Sequence, residues 1–276
     1  MSSSKTILIT GCSTGIGYTT AMELKNRGHK VVATARKPDD VLRLQLEGFS
    51  AFQLDLADSN SIQTAVRLAI ELTDGKIDAL FNNGAFGQPG AVEDLSRDVL
   101  RFQFETNLFG THELTNLILP LMRKQGHGRI IYNSSILGFV AMTYRGAYNA
   151  SKFALEGLAD TLRLELHGSN IHISVIEPGP ILSDFRKNAF SLYKKNIDPT
   201  NSYYKETYKK MEVRLEREGA AAPFTLPAQA VAAKVIHALE AKNPKIRYYV
   251  TFPTYLFAFL KRILPMPWLD YLLRQV

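Results

Sequence analysis

A short apolar run followed by a glycine-rich turn constrains the fold of this chain more than any other feature. The β-branched residues 6–10 predict a strand, the spacing G-x-x-x-G-x-G follows at Gly11, Gly15 and Gly17, and residues 18–27 have helical patterning. In such a unit the glycines let the backbone approach a pyrophosphate, and the helix N-terminus offers unpaired N–H groups. We therefore predict a dinucleotide-binding turn, although a tight turn that needs glycine only for packing would give the same pattern.

The remainder of the chain alternates apolar runs with helical patterns. About seven β-like runs predict an α/β fold, with a single Rossmann-type doubly wound parallel sheet and helices on both faces. No linker composition divides the 276 residues, so we expect one domain over 1–276. Residues 184–225 are rich in charge and aromatics and are predicted to form a substrate lid.

The apolar C-terminal tail, residues 253–276, has several possible contacts. It is too short, and too interrupted by Pro265 and Pro267, to span a bilayer. A peripheral membrane contact through an amphipathic helix is one interpretation. We favour a tail that covers the pocket or a subunit interface.

Composition argues against several classes of function. The net charge of +7 comes from scattered Lys and Arg without a nucleic-acid motif, so we expect no nucleic acid partner. The six histidines and the single cysteine, Cys12, show no metal-ligand spacing, so we predict no metal. One cysteine excludes an internal disulfide and suits a reducing compartment, and the N-terminal segment lacks an export signal, so we expect a cytoplasmic protein.

Tyr148 and Lys152 are the candidates for acid–base chemistry. They lie one helical turn apart, so on a helix their side chains share a face. An ammonium beside a phenol favours the phenolate and lowers the phenol pKa from about 10. The same spacing also arises by chance on solvated helices, so the pair gains weight only from its context. That context includes Ser135, at the end of a predicted strand, and Asn107, inside a long predicted helix over residues 96–122.

The glycine turn, Asn107, Ser135, Tyr148 and Lys152 occur together and in order, and the chain thereby resembles the short-chain dehydrogenase/reductase family. Its pattern is closest to bacterial NADP-dependent reductases of aldehydes and ketones, which are similar to hydroxysteroid and retinol dehydrogenases. The resemblance implies that Tyr148 transfers the proton, Ser135 holds the substrate carbonyl, Lys152 serves Tyr148 and the nicotinamide ribose, and Asn107 has a structural and proton-relay role.

The cofactor is expected to be NADP(H). Folds that bind NAD usually have an acid at the end of the second strand, where this chain has Ala35 followed by Arg36, and an arginine can pair with a 2′-phosphate. A solvated loop arginine is the alternative. The family pattern Asn-Asn-Ala-Gly stands here as Asn82-Asn83-Gly84-Ala85, and we expect the turn to survive because both transposed residues are small. The residues that the resemblance assigns to the cofactor are Gly11, Ser13, Thr14, Gly15, Ile16, Gly17, Arg36, Asp55, Leu56, Asn83, Gly84, Tyr148, Lys152, Pro178, Gly179 and Ile181.

The expected reaction is reduction of an aldehyde or ketone to the alcohol, with Ser135, Tyr148 and Phe185 contacting the substrate. Lid aromatics favour an apolar or aromatic substrate. Oxidation of steroid-like or retinoid-like alcohols is the alternative, and a protein that senses NADPH without turnover is a hypothesis from a different class.

The helix predicted over residues 147–166 bears on assembly. Leu155, Leu158, Leu162 and Leu166 are predicted to face the core. A small-residue stripe, Ala147, Ala150, Ala154 and Gly157, would suit either a homo-dimer or homo-tetramer contact or packing within the subunit.

Overall fold

A parallel sheet forms the centre of the structure, a computed structural model that describes residues 4–217, 219–220 and 222–275. Within these ranges the strands are β1 (Thr6–Ile9), β2 (Lys30–Ala35), β3 (Ser50–Gln53), β4 (Ala79–Asn82), β5 (Gly128–Asn133), β6 (Ile171–Glu177) and β7 (Arg247–Tyr249). Their order is β3-β2-β1-β4-β5-β6-β7, and every neighbouring pair is parallel. The predicted doubly wound sheet is confirmed.

Helices cover both faces of this sheet. They are α1 (Gly15–Asn26), α2 (Pro38–Leu46), α3 (Ser59–Thr73), α4 (Arg97–Phe104), α5 (Gly110–Gln125), α6 (Gly146–Glu165), α7 (Phe185–Asn196), α8 (Lys205–Glu216), α9 (Gln229–Glu240), α10 (Phe252–Ile263) and α11 (Met266–Leu273). Side chains alternate across a strand, so Ile7 and Ile9 of β1 face α1 and α9, whereas Leu8 faces α3, α5 and α6. Two apolar cores result, one on each face.

The strand order reverses beside β1, which determines where a ligand can bind. β2 and β3 lie on one side of β1, and β4 to β7 lie on the other. In open α/β sheets this arrangement leaves a crevice at the carboxyl ends of the strands, where the two crossovers diverge. The glycine-rich turn after β1 and Asn83 after β4 lie at that crevice.

Two sequence-based expectations need correction. The helix predicted over residues 96–122 is interrupted by a π-helical segment, Glu105–Phe109, between α4 and α5. The prediction that Leu158 faces the core is wrong, because it lies at the edge of the buried face of α6 and is 42 % exposed. Of the small-residue stripe, Ala147 is buried, whereas Ala150 and Gly157 are exposed.

The lid and the tail are both helical. The predicted lid, residues 184–225, carries α7 and α8, and the tail forms α10 and α11, joined by Leu264 and Pro265. Each helix within the described ranges is too short or too polar to cross a bilayer.

A close approach between α5 and the strand-end residue Leu56 generates a stability prediction. A Cβ atom on Gly110 would lie 1.7 Å from the main-chain oxygen of Leu56, so no side chain fits there. We expect Gly110→Ala to reduce the free energy of unfolding by about 3 kcal/mol, because backbone must move. Urea unfolding followed by circular dichroism measures this.

The matched control is Gly157→Ala on the exposed face of α6, where a Cβ meets nothing within 4 Å. That substitution should stabilise the protein by about 0.5–1 kcal/mol through helix propensity. Equal stability of the two variants would contradict the packing argument.

Candidate active site

The glycine turn has the geometry that an anionic group requires. Gly11 and Gly15 have positive φ values of 71° and 58°, and a Cβ on Gly17 would lie 2.2 Å from the Gly11 carbonyl oxygen. Thr14 precedes α1 in an extended conformation, and no side chain of the described residues caps the first turn or adds an acid to it. The first N–H groups of α1 are therefore free to bind a pyrophosphate, and the site fits a dinucleotide.

Basic side chains lie beside this turn. Arg36 is exposed at the carboxyl end of β2, and its main-chain oxygen accepts a hydrogen bond from Gln53 Nε2 at 2.9 Å. Arg43 of α2, which sequence reasoning missed, donates to the main-chain oxygen of Ser13 at 2.5 Å and lies over the Tyr18 ring. The glycine-rich motif does not indicate Arg43, because the contact between Arg43 and Ser13 depends on how α2 packs against the turn.

Asn83 connects the turn to the interior of the site. Its Nδ2 donates to the main-chain oxygens of Thr10 at 2.9 Å and Gly11 at 3.2 Å, and its Oδ1 accepts from Asn133 Nδ2 at 2.9 Å. Asn133 in turn offers its main-chain oxygen to Lys152 Nζ at 2.6 Å. A continuous hydrogen-bonded path thus runs from the glycine turn, across the ends of β1, β4 and β5, to Lys152.

The transposed pair Gly84-Ala85 keeps the turn intact, as expected. The N–H groups of Asn83 and Gly84 both donate to Thr10 Oγ1, at 2.9 and 2.8 Å. A Cβ on Gly84 would lie 2.9 Å from Leu56 Cδ1. The transposition therefore puts glycine, which has no side chain, at the position against which Leu56 packs.

Asn107 lies in the π-helical segment and is buried. Its Nδ2 donates to the Phe86 carbonyl at 2.9 Å and to Ser151 Oγ at 3.2 Å, and its Oδ1 accepts from the Phe86 N–H at 3.1 Å. A buried amide needs such partners, and they join the segment after β4 to α6. This arrangement fits the structural part of the predicted role, and the relay part stays a prediction.

Tyr148 and Ser135 meet at the start of α6. Burial raises the pKa of Tyr148 to about 12, and this shift is opposed by a hydrogen bond with Ser135 and by the charge of Arg145. Lys152 Nζ lies 5.7 Å from the Tyr148 ring centroid, and burial lowers the Lys152 pKa to about 8. We expected the ammonium to lower the Tyr148 pKa; in this structure burial dominates, and the phenol carries its proton at neutral pH.

Two neighbouring serines have different surroundings. Ser135 Oγ accepts from the Leu137 N–H at 3.1 Å and lies 3.5 Å from the Pro178 oxygen. Ser134 instead lies with Glu156 against Gly138, where a Cβ would come within 2.5 Å of Ser134 Oγ. Ser135 thus lies beside Tyr148, and its contact with the substrate stays a prediction.

Phe185, the first residue of α7, brings the lid to the reacting group. Its ring meets the Tyr148 ring edge-on, with centroids 5.3 Å apart. A Cβ on Gly87 would lie 2.7 Å from the Phe185 ring, so the absence of a side chain there makes room for the contact. The aromatic ring of Phe185 therefore covers one side of Tyr148.

The other predicted cofactor residues line the same edge of the sheet. The Pro178 carbonyl accepts from the Ile136 N–H at 2.8 Å, and Ile181 pairs with Leu226. Gly179 packs on α10, since a Cβ there would lie 2.1 Å from Thr251 Oγ1.

Asp55, which follows β3, makes few hydrogen bonds through its side chain. Asp55 Oδ1 accepts from the Ala57 N–H at 3.0 Å, which leaves its other oxygen without a protein donor among the described residues. The contact of Asp55 with the cofactor stays a prediction. The same holds for Ser13, Thr14 and Ile16, which lie in or beside the turn.

Among the described residues, no cluster of three His, Cys, Asp or Glu side chains is arranged to hold a metal ion. The absence of a metal stays a prediction.

A dinucleotide-type turn connected by hydrogen bonds to a Ser–Tyr–Lys set defines an oxidoreductase site on a Rossmann-type fold. The chain belongs to the short-chain dehydrogenase family, whose model, described as short chain dehydrogenase, matches residues 5–194. The resemblance drawn from the motifs is confirmed.

Relatives along nearly the whole chain have related names. The Escherichia coli K12 protein described as uncharacterized oxidoreductase YbbO is 43 % identical over 98 % of this chain and 94 % of its own. A 3-ketodihydrosphingosine reductase of Bacteroides thetaiotaomicron is 34 % identical over 97 % of this chain and 96 % of its own. Human 17-beta-hydroxysteroid dehydrogenase type 1 is 31 % identical over 89 % of this chain and 77 % of its own.

Solved structures share the fold. A short chain dehydrogenase/reductase from Burkholderia phymatum in complex with NAD has a TM-score of 0.77 at 23 % identity, covering 94 % of this chain and 92 % of its own. A single-residue variant of the actinorhodin polyketide ketoreductase with NADPH has a TM-score of 0.72 at 25 % identity, covering 91 % and 97 %. One of these two proteins was thus solved with NAD and the other with NADPH.

The burial of Lys152 generates a prediction about stability and pH. Its pKa falls from 10.5 to about 8, so below pH 8 the folded state bears the whole cost of a buried charge, about 3 kcal/mol. Lys152→Met removes that charge and also loses the bond to Asn133, worth about 1 kcal/mol. We expect the variant to be more stable than the wild type by about 2 kcal/mol near pH 7, and catalytically inactive.

The pH dependence checks the cause. Between pH 8 and 10.5 the unfolded state binds more protons than the folded state, so wild-type stability rises with pH and the advantage of the variant shrinks. Urea unfolding across this range measures it, with the exposed Lys124→Met as control. An advantage that does not change with pH would show that the buried charge is not its source.

Proposed function

We propose that this protein is an NADP-dependent reductase that converts apolar aldehydes or ketones to alcohols. The observation that carries the proposal is the position of Tyr148, which lies against the Phe185 ring and one helical turn from Lys152, and Lys152 is connected to the dinucleotide turn through Asn133 and Asn83. A phenol in this position suits reduction, in which the carbonyl oxygen must be protonated.

The chain's own groups account for the proton side of the reaction. When bound, NADPH supplies the hydride to the carbonyl carbon. Ser135 and Tyr148 donate hydrogen bonds to the carbonyl oxygen as negative charge develops there, and Tyr148 then transfers its phenolic proton to that oxygen. The Lys152 ammonium stabilises the phenolate that remains, which is then reprotonated from solvent. Oxidation of an alcohol uses the same groups in reverse.

Two features support NADP over NAD as the cofactor. The buried Ala35 puts no carboxylate at the end of β2, and the exposed Arg36 has no acidic partner within 4.0 Å among the described residues. A free guanidinium at this position suits a 2′-phosphate.

The substrate class follows from the lining of the site. Phe185 covers Tyr148, and Ile136, Leu137 and Val140 form a buried cluster against which Tyr148 packs. Apolar walls of this kind stabilise aliphatic or aromatic substituents on the carbonyl. The names of two relatives, a ketone reductase and a hydroxysteroid dehydrogenase, fit the same class, and oxidation of steroid-like or retinoid-like alcohols remains the second candidate.

We also propose a homo-oligomer. Phe102, Phe109 and Phe153 are all exposed on adjacent segments, α4, the π-helical segment and α6. Together with the outward-facing Ala150 and Gly157, they form an apolar surface on which a second subunit fits.

Tyr148→Phe tests the mechanism. Loss of the phenolic proton should reduce carbonyl reduction by roughly 10²-fold or more, while NADPH affinity changes little. NADPH absorbance decay against aliphatic aldehydes, aromatic aldehydes and apolar ketones gives the rate, and cofactor fluorescence gives the affinity. Tyr203→Phe, at a 90 % exposed position, is the control. Substantial reduction by Tyr148→Phe would refute the mechanism, and tight NADPH binding by an inactive wild type would favour the sensor hypothesis.

Arg36→Ala tests the cofactor. Loss of a charged hydrogen bond to a 2′-phosphate should weaken NADPH binding by roughly 10- to 100-fold and leave NADH nearly unchanged. Arg43→Ala is the matched contrast, because Arg43 holds Ser13 in the turn and its loss should weaken both cofactors. Titrations of each variant with NADPH and NADH measure this. If Arg36→Ala weakens both equally, Arg36 does not recognise the 2′-phosphate.

A further inference from the structure

We propose that the outward face of the α10–α11 hairpin docks on the surface of a lipid membrane that carries anionic headgroups. This docking is independent of the proposed reaction. It rests on the arrangement of apolar, aromatic and basic side chains on the hairpin.

The outward face of α10 is an apolar stripe at helical spacing. Residues at positions i, i+3, i+4, i+7 and i+11 point to one side of a helix, and here all are large and apolar or aromatic. They are between 37 % and 59 % exposed. The stripe consists of Phe252, Tyr255, Leu256, Phe259 and Ile263.

The opposite face of the hairpin is already used. Phe257 of α10 and Leu269 of α11 are buried in a cluster with Ile136, Leu137 and Val140, beside Tyr148. Lys261 Nζ also donates to the Phe139 carbonyl at 2.5 Å. The hairpin is therefore fixed to the wall of the active site by its inner side. The stripe is partly exposed, and its first residues Phe252 and Tyr255 contact the Phe224 and Tyr249 rings, with centroids 5.0 and 5.4 Å apart.

α11 extends the exposed surface with the residue types that favour a membrane interface. Met266, Trp268 and Tyr271 are each at least 59 % exposed, while Leu269 of the same helix faces inward. Trp and Tyr have an apolar body and a polar atom, and they are enriched where hydrocarbon meets headgroups. An apolar surface that is this aromatic suits insertion to the depth of the headgroups.

The charges around the surface select the kind of lipid. Arg262 and Arg274 are exposed on the hairpin and Asp270 is its single acid within residues 252–275, whereas the Lys261 ammonium is held by the Phe139 carbonyl and lies over the Phe153 ring. Cations beside an apolar helical face bind anionic headgroups, and each adds to the hydrophobic attachment.

A second copy of the chain is a poorer occupant for this surface. In a two-fold contact a surface meets itself, so Arg262 and Arg274 of both copies would be brought into one interface, with only the two Asp270 carboxylates of the hairpins as partners. Anionic headgroups supply the missing negative charge. The exposed face of α4 and α6 offers another surface for subunits, which adjoins the hairpin where Lys261 lies over the Phe153 ring.

Vesicle sedimentation with the full chain tests the proposal. The probes are vesicles of phosphatidylcholine alone and of phosphatidylcholine mixed with an equal part of phosphatidylglycerol. We expect the wild type to sediment with the mixed vesicles, less with the neutral ones, and progressively less with mixed vesicles as salt is added. Wild-type protein that stays in the supernatant with mixed vesicles overturns the proposal.

Point variants locate the contact. Phe259→Ser and Trp268→Ser should each weaken binding to mixed vesicles by about tenfold or more, because one aromatic side chain no longer enters the interface. Leu46→Ser, at an 80 % exposed apolar position on α2, is the matched control and should bind like the wild type. Two variants on different helices guard against one that fails to fold, which circular dichroism detects.

Charge variants complete the test. Arg262→Glu and Arg274→Glu should lose binding to mixed vesicles and keep the residual binding to neutral ones, with Lys124→Glu as control. Light scattering of each variant reports its mass. A smaller mass in Phe259→Ser, together with unchanged vesicle binding, would assign the surface to a second copy and overturn the proposal. Because sedimentation does not depend on turnover, its outcome is separate from that of the reductase assays.

Discussion

The buried ammonium of Lys152 is the interaction on which the site depends. Its hydrogen bond to the Asn133 carbonyl joins α6 to the end of β5, and Asn133 and Asn83 extend the connection to Thr10 and Gly11 at the end of β1. Any shift of α6 would therefore strain the turn that receives the cofactor. Burying the Lys152 charge lowers the free energy of unfolding, and the two apolar cores on either side of the sheet offset this cost.

The same face of α6 carries three titratable side chains. Tyr148, Lys152 and Glu156 lie one helical turn apart, and the negative charge of Glu156 raises the Lys152 pKa against the effect of burial. Arg247 of β7 binds Glu156 and Glu177, and burial raises the pKa of Glu177 to about 8 in spite of that contact. Arg247 of the edge strand β7 thus supplies the positive charge that stabilises Glu156 next to Lys152. Through Glu156 and Lys152, the edge of the sheet affects the surroundings of Tyr148.

Local patterns predicted the fold and most of the site, because their physical cause is local. The apolar runs, the glycine spacing and the helical register of Tyr148 and Lys152 depend on neighbours in sequence. Arg43 was missed because its contact with Ser13 depends on how α2 returns to the turn. Leu158 was misplaced because the width of a buried face depends on what packs on it, and the effect of Lys152 on Tyr148 was misjudged because burial is a tertiary property.

Positions that lack a side chain let distant segments of the chain meet around the site. Gly87 admits the Phe185 ring to Tyr148, Gly179 admits Thr251 at the start of α10, and Gly84 admits Leu56 beside the turn. Each brings together segments that are distant in sequence, and none adds a reacting group. The chemistry is therefore determined by the residues around Tyr148. We propose that the choice of substrate rests on α7 and the α10–α11 hairpin, because Phe185 of α7 contacts Tyr148 and the hairpin packs on the cluster of Ile136, Leu137 and Val140.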